Sequence, residues 1–213
     1  MVKFIKKKFE VEDPEASQTH RRGQALREGF DPGRSNIFFI GLRGSGKTTL
    51  ARQVAEHLGA EFRDTDLLVR ERAGQSIADL VQSKGWDAFR DLEQSVLEEL
   101  CAQSGQVVAT GGGIVLRAQN RERLKQSGQV FYLMANPVLL ASRLREQATD
   151  HRPELTELDL EQELRHTLQE REPLYYETLH FILQADQSVD ELADGVLTSL
   201  KLTNRAERGG ESW

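Results

Sequence analysis

The sequence predicts an α/β fold in which a parallel sheet of five strands carries helices on both faces. Three observations lead there. Short apolar runs alternate with longer stretches of helical periodicity from about residue 35 to residue 200. A glycine-rich loop joins the first apolar run to the first helical one. Polar or glycine clusters follow each of the first three runs, at the edge where such sheets bind their ligands.

Asn36-Ile37-Phe38-Phe39-Ile40 is short and apolar, as a buried strand should be. Thr49 to Leu58 is apolar at helical spacing and closes on Gly59. Glu61 to Thr65 reads as a second strand, with helical patterns following near Leu67–Ala73, Ile77–Ser83 and Trp86–Gln103. Gln106 to Thr110 is a third strand running into three glycines. A helix near Ala118–Gln126 leads to a strand over Val130–Met134, and Pro137 opens a helix to about Arg145. After a polar link comes a long helix from Leu160 to about Tyr176, and His180–Leu183 is the last strand. Ser188 caps a closing helix over Val189–Leu200, which shows no long heptad.

The loop after the first strand is Gly41-Leu42-Arg43-Gly44-Ser45-Gly46-Lys47-Thr48, a match to the phosphate-binding pattern G-x-x-x-x-G-K-[ST]. Strand, loop and helix are in the order the motif needs. Glycines let backbone N–H groups converge on phosphate oxygens, and the helix N-terminus adds partial positive charge. Lys47 reaches the β- and γ-phosphates in such loops, and the Thr48 hydroxyl ligates Mg²⁺. A nucleotide, most simply ATP, is thereby implied, but not what is done with it.

Composition narrows the choice. The chain has 213 residues, 38% hydrophobic and 29% charged, and suits one domain with a real core. Its net charge of −6 argues against nucleic acid as a partner. No apolar stretch reaches membrane-spanning length. Met1-Val2-Lys3-Phe4-Ile5-Lys6-Lys7-Lys8 is basic without an apolar core, unlike a secretory signal. Cys101, the single cysteine, cannot pair internally and sits in a helical pattern as a buried thiol. These features suit a cytoplasmic protein. Residues 1–34 are charged, poor in periodic apolar residues and broken by Asp13-Pro14 and Asp31-Pro32-Gly33, so they read as a flexible extension. Residues 35–202 form the domain, and 203–213 form a polar tail.

Three clusters fall at one sheet edge: the phosphate loop, Asp64-Thr65-Asp66 and Gly111-Gly112-Gly113. Taken alone, Asp64-Thr65-Asp66 is a turn and helix cap. Opposite a phosphate loop, one carboxylate can hold Mg²⁺ through water and the other can accept a proton from a substrate hydroxyl. The glycines let a substrate lie against the backbone, with N–H groups as donors.

Six segments in order carry a resemblance: GLRGSGKTT at 41–49, DTD at 64–66, SIADLVQSKGWDAFRDLE at 76–93, TGGG at 110–113, HRP at 151–153 and REPLYYE at 171–177. Together they resemble the shikimate kinases, within the nucleoside-monophosphate-kinase-like P-loop proteins. The resemblance implies a three-layer P-loop kinase fold with a substrate-binding helical segment at about 67–95 and a mobile lid at about 147–159. It implies ATP- and Mg²⁺-dependent phosphorylation of the 3-hydroxyl of shikimate, giving shikimate 3-phosphate and ADP, on the route to chorismate and the aromatic amino acids. Catalytic residues would be Lys47, Asp66 and the lid arginine Arg152. ATP would be held by Gly44, Ser45, Gly46, Lys47, Thr48 and Thr49, with Arg145 on the adenine and Arg152 over the transferring phosphoryl group. The substrate would meet Asp66, Gly111, Gly112, Gly113 and two carboxylate-binding arginines, Arg90 and Arg171. Guanidinium forks match a carboxylate with paired hydrogen bonds. Thr48 would ligate Mg²⁺ directly and Asp64 through water. The family is usually monomeric.

Glu93 lies three residues after Arg90 on one helical face and would orient it; the plainer reading is a surface ion pair. For Arg145 the plainer reading is a solvated residue at a helix end. The chain departs from the family pattern at Val81, where a large aromatic is common, at Glu154, and in its extension. Another P-loop small-molecule kinase, such as a gluconate kinase, and a nucleotide-binding regulator without catalysis are the alternatives. The first lacks this combination of segments, and the second would be expected to lose Lys47, Asp66, Arg90 or Arg152.

Overall fold

The computed structural model describes residues 35–147 and 157–208. The extension, Arg152 with most of the lid segment, and residues 209–213 lie outside them. Five strands form one sheet: β1 (Asn36–Ile40), β2 (Glu61–Asp64), β3 (Gln106–Ala109), β4 (Gly128–Met134) and β5 (Phe181–Gln184). Their order is β2-β3-β1-β4-β5, every pairing parallel. The helices are α1 (Lys47–Leu58), α2 (Thr65–Ala73), α3 (Ile77–Cys101), α4 (Ala118–Ser127), α5 (Pro137–Gln147), α6 (Glu157–Thr178) and α7 (Val189–Arg208).

Parallel strands buried on both faces need continuous apolar runs, and β1 is buried at every residue. Phe38 pairs with Val108 on one side and Val130 on the other. The rings of Phe39, Phe131 and Phe181 follow one another across β1, β4 and β5, with centroids 5.7 and 4.8 Å apart. Helix α1 packs on β3 and α7, whereas α4 and α6 pack on β4 and on each other. The one polar residue of β1 has a fixed task. Asn36 is fully buried, donates to the Gln103 carbonyl at 2.8 Å and accepts from the Gln106 N–H at 3.0 Å. It pins the turn that leads from α3 into β3.

The expected strands and helices are all present among the described residues; beyond small shifts at element ends, as at Thr110, Gly128, His180 and Glu157, four differences stand out. Thr65 opens α2 instead of ending β2, because the Asp64 carboxylate caps the N–H groups of Asp66 and Leu67 at 3.0 and 3.2 Å. The two helical patterns either side of Gly85 form one long element, α3, broken at Gly85 (φ 84°, ψ 170°), a left-handed conformation that favours glycine. A short 3₁₀ turn over Ile114–Leu116, not expected, follows the triple glycine. Helix α7 continues past Leu200 to Arg208, through residues read as the start of the tail. Cys101 ends α3 partly buried, and burial pushes its thiol pKa up.

Asn36→Ala leaves the Gln106 N–H and the Gln103 carbonyl without their partner inside the core. We expect a stability loss of about 2–6 kcal/mol in urea unfolding, the cost of two unsatisfied groups at ~1–3 kcal/mol each. A loss below about 0.5 kcal/mol would mean that the turn finds other partners.

Candidate active site

The carboxyl ends of β1, β2 and β3 bring three loops together, as a parallel sheet requires. The phosphate loop uses positive φ at Gly41, Gly44 and Gly46 (141°, 78° and 95°). No side chain caps α1 at Gly46, and its first turn holds no acidic residue. The N-terminal N–H groups of α1 thus face a seat for an anion. Ser45 and Lys47 are buried there, whereas Thr48 and Thr49 are exposed in the first turn.

Lys47 Nζ donates to the Leu42 carbonyl at 2.7 Å and contacts Ser45 Oγ at 3.4 Å. Burial lowers its pKa to about 8, outweighing the attraction of Asp66 and Asp64. Asp64 serves two helices at once. Its Oδ1 caps α2, and its Oδ2 accepts from Thr48 Oγ1 at 2.9 Å. Asp64-Thr65-Asp66 is thus a helix cap, and it also faces the phosphate loop. The cap turns Asp66 inward. Burial, then repulsion from Asp64, raises the Asp66 pKa against the pull of Lys47, Arg90 and Arg70. A raised pKa makes its carboxylate a stronger base than a surface aspartate.

Asp66 opens onto a cleft of about 660 Å³. Arg90, Glu93, Gly111, Gly112, Gly113 and Arg171 line it as expected, together with Arg43, Val81, Trp86 and Phe89. The Arg90–Glu93 pair is no surface ion pair. Glu93 is 1% exposed, and its Oε2 accepts from Arg90 Nη1 at 2.5 Å. Burial raises the Glu93 pKa and Arg90 opposes the rise. The Arg90 guanidinium also lies 4.7 Å from the Phe89 ring centre and 5.6 Å from that of Trp86. A Cβ at Gly113 would strike this guanidinium, and one at Gly111 would come within 2.5 Å of Asp66 Oδ1 and 2.9 Å of Glu93 Oε1. The glycines are thus required by the charged groups packed on them. One expectation changes: the Gly111 N–H donates to Thr65 Oγ1 at 2.8 Å, so it is already bound.

Two buried polar atoms on this cleft have no protein partner, Glu93 Oε1 and Arg171 Nε. Arg145 is exposed in the last turn of α5, next to Leu144, which packs against Gly44 of the phosphate loop.

Sequence reading missed two features. Tyr175, fully buried, donates to the Gly112 carbonyl at 2.6 Å and stacks on Tyr132 at 4.9 Å, with Arg171 beside its hydroxyl. It braces two cleft residues at once, and its place in REPLYYE was the available signal. Arg43 Nη2 meets Glu163 Oε1 at 2.8 Å across the cleft mouth. No local pattern links residues so far apart in sequence.

A phosphate loop beside a cleft that carries a half-buried aspartate and two arginines defines a P-loop phosphotransferase for a small polar acceptor. Comparison with known proteins narrows this. The family model for shikimate kinase matches residues 43–201. A shikimate kinase of Oleidesulfovibrio alaskensis is 47% identical over 165 residues, 77% of this chain and 96% of the relative. Shikimate kinase 2 of Yersinia enterocolitica is 43% identical over 162 residues, 76% and 92% of the two chains. The structure of a shikimate kinase from Acinetobacter baumannii in complex with shikimate superposes with a TM-score of 0.72 at 37% identity, covering 85% of this chain and 97% of that one. A gluconokinase from Sinorhizobium meliloti, at 18% identity and TM-score 0.55, shares the fold alone. This chain belongs to the shikimate kinase family. It is an ATP-using kinase of the shikimate pathway.

The Lys47 ammonium loses its proton as pH rises through about 8, and with it the charge that attracts phosphate. Asp66 must be deprotonated to act as base, and its pKa lies above the ordinary 3.8. The kcat/KM for ATP reports the free enzyme. We expect a bell whose alkaline limb falls above about pH 8 and whose acid limb begins above the ordinary aspartate range. An alkaline limb displaced to the ordinary lysine range near 10.5 would show that Lys47 is not desolvated.

Proposed function

We propose that the cleft binds shikimate and that its 3-hydroxyl is phosphorylated through the residues assembled around it. Asp66 takes the hydroxyl proton. The hydroxyl oxygen bonds to the γ-phosphorus as the bond to the β–γ bridging oxygen breaks, and ADP departs with that electron pair. Lys47 and the N–H groups of Gly44, Ser45, Gly46, Thr48 and Thr49 hold the phosphates. Arg90 and Arg171 grip the substrate carboxylate, Glu93 fixes Arg90, and Tyr175 fixes the backbone of Gly112. Arg145 on the adenine and Arg152 over the γ-phosphate complete the ATP site in our reading. Support comes first from the convergence of Asp66, Arg90 and Arg171 on one cleft beside a phosphate loop, in a chain similar to a shikimate kinase solved in complex with shikimate.

Thr48 Oγ1 and Asp64 Oδ2, 2.9 Å apart, form the hard oxygen pair that suits Mg²⁺. When bound, Mg²⁺ offsets the charge of the β- and γ-phosphates. Among the described residues no group of three His, Cys, Asp or Glu side chains could hold a metal. No helix of the described residues is long and apolar enough to cross a membrane. A cytoplasmic monomer with 35–202 as the working unit is our reading, and the extent of the family match supports that unit.

The test is a coupled assay with ATP, Mg²⁺ and either shikimate or gluconate. Turnover of shikimate alone is expected. Asp66→Asn should cut kcat by ~10²–10⁴ with the fold intact; near-normal turnover would remove Asp66 from the role of base. Arg171→Lys keeps the charge and loses the fork. It should raise KM for shikimate by roughly 10- to 150-fold, the worth of one charge-assisted hydrogen bond, and leave KM for ATP nearly unchanged. A selective rise in KM for ATP would assign Arg171 to phosphate instead.

A further inference from the structure

Helix α5 lies against the phosphate loop from outside. A Cβ on Gly44 would come within 3.0 Å of Leu144 Cγ and 3.4 Å of the Leu140 carbonyl oxygen. Beside Leu144, Arg143 is half-buried and uses both ends of its fork on backbone. Its Nη1 donates to the Ser45 carbonyl at 3.3 Å, and its Nη2 to the Ala185 carbonyl at 2.6 Å. Ser45 is in the phosphate loop after β1, and Ala185 directly follows β5, two strands away in the sheet. The Ala185 N–H is itself held by the Met134 carbonyl of β4 at 2.9 Å. One guanidinium therefore fixes the spacing between two loops on the ligand-binding edge.

That spacing matters for a nucleotide. The acceptor cleft lies on the β2 and β3 side of the phosphate loop, built from Asp66 and Gly111–Gly113. A γ-phosphoryl aimed at that cleft leaves the rest of the nucleotide extending the other way, over β4 and β5. Arg143 stands on that side. Its contact also acts on the Ser45–Gly46 peptide, because a carbonyl that accepts from a cation makes the N–H of the same peptide a stronger donor. Gly46 Cα faces the same guanidinium, with an added Cβ 3.8 Å from Nη1.

We propose that Arg143 is a positioning residue for ATP: by bridging the Ser45 and Ala185 carbonyls it sets the distance between the seat of the phosphates and the region over which the nucleoside lies. This rests on the reading of the phosphate loop as the ATP site. Lysine cannot span two carbonyls with a planar fork, so Arg143→Lys keeps the charge and loses the bridge. Arg143→Met removes both while keeping an apolar stem against Leu144.

The experiment measures KM for ATP and shikimate, the melting temperature, and binding of ATP and of inorganic tripolyphosphate by calorimetry. Both variants should raise KM and Kd for ATP roughly 10-fold, the order of one charge-assisted hydrogen bond, with KM for shikimate changed less than about twofold. Tripolyphosphate, which has no nucleoside to place, should bind the Lys variant nearly as well as the wild type. Equal weakening of ATP and tripolyphosphate in the Lys variant would overturn the proposal in favour of a purely local effect on the loop. A lowered melting temperature with both Michaelis constants intact would overturn it in favour of a structural brace. Full rescue by lysine would show that charge, and not the bridge, is what counts. Failure of the wild type to bind ATP would instead remove the underlying reading of the site.

Discussion

The carboxylate of Asp64 is the point on which the site depends. One oxygen fixes the start of α2, and the other meets Thr48 at the start of α1. The two helix N-termini that face the ligands are thereby set relative to each other by a single side chain. Asp66 points inward because it occupies the second position after this cap. Its position relative to Lys47 is thus a by-product of satisfying backbone N–H groups that any helix start must satisfy.

Around that point the site gathers buried and half-buried charges. Burial shifts Lys47, Asp66 and Glu93 toward their neutral forms; nearby opposite charges pull each of them back, while Asp64 adds to the rise at Asp66 and Asp66 adds to the rise at Glu93. Such groups are costly to bury singly and tolerable as a set. The apolar faces of Phe89 and Trp86 next to Arg90 lower the local dielectric and so strengthen every pairing near it. Trp86 itself stays 61% exposed, which places the boundary between dry wall and solvent at this residue.

Features whose chemistry is local in sequence were legible. The phosphate loop, the Asp64–Asp66 turn and the Arg90–Glu93 spacing each declare themselves within a few residues. The break at Gly85 was visible as an interruption between two helical patterns. Burial was not legible: the spacing of Arg90 and Glu93 is the same for a solvated pair and for one sealed beneath a cleft. Contacts formed only by the fold were also hidden, as with Arg43 and Glu163, or Arg143 and the carbonyl of Ala185. At the end of α7 the polarity of Asn204–Arg208 suggested a tail, although arginine, alanine and glutamate are good helix formers and the helix continues through them.

The break at Gly85 divides α3 into two parts of unequal anchorage. The later part carries the buried residues Phe89, Glu93, Val96, Leu97 and Leu100, whereas Leu80 is the one buried residue of the earlier part. A helix interrupted by a residue outside helical geometry does not transmit bending cooperatively across the joint. Ile77, Val81 and Gln82, which face the cleft, therefore belong to a short segment with its own local stability, tethered to a rigid one. In hydrogen exchange the amides before Gly85 would open at lower free energy than those after it. The cleft thereby has one wall that can yield to an incoming ring while Arg90, on the anchored part of the helix, stays in place.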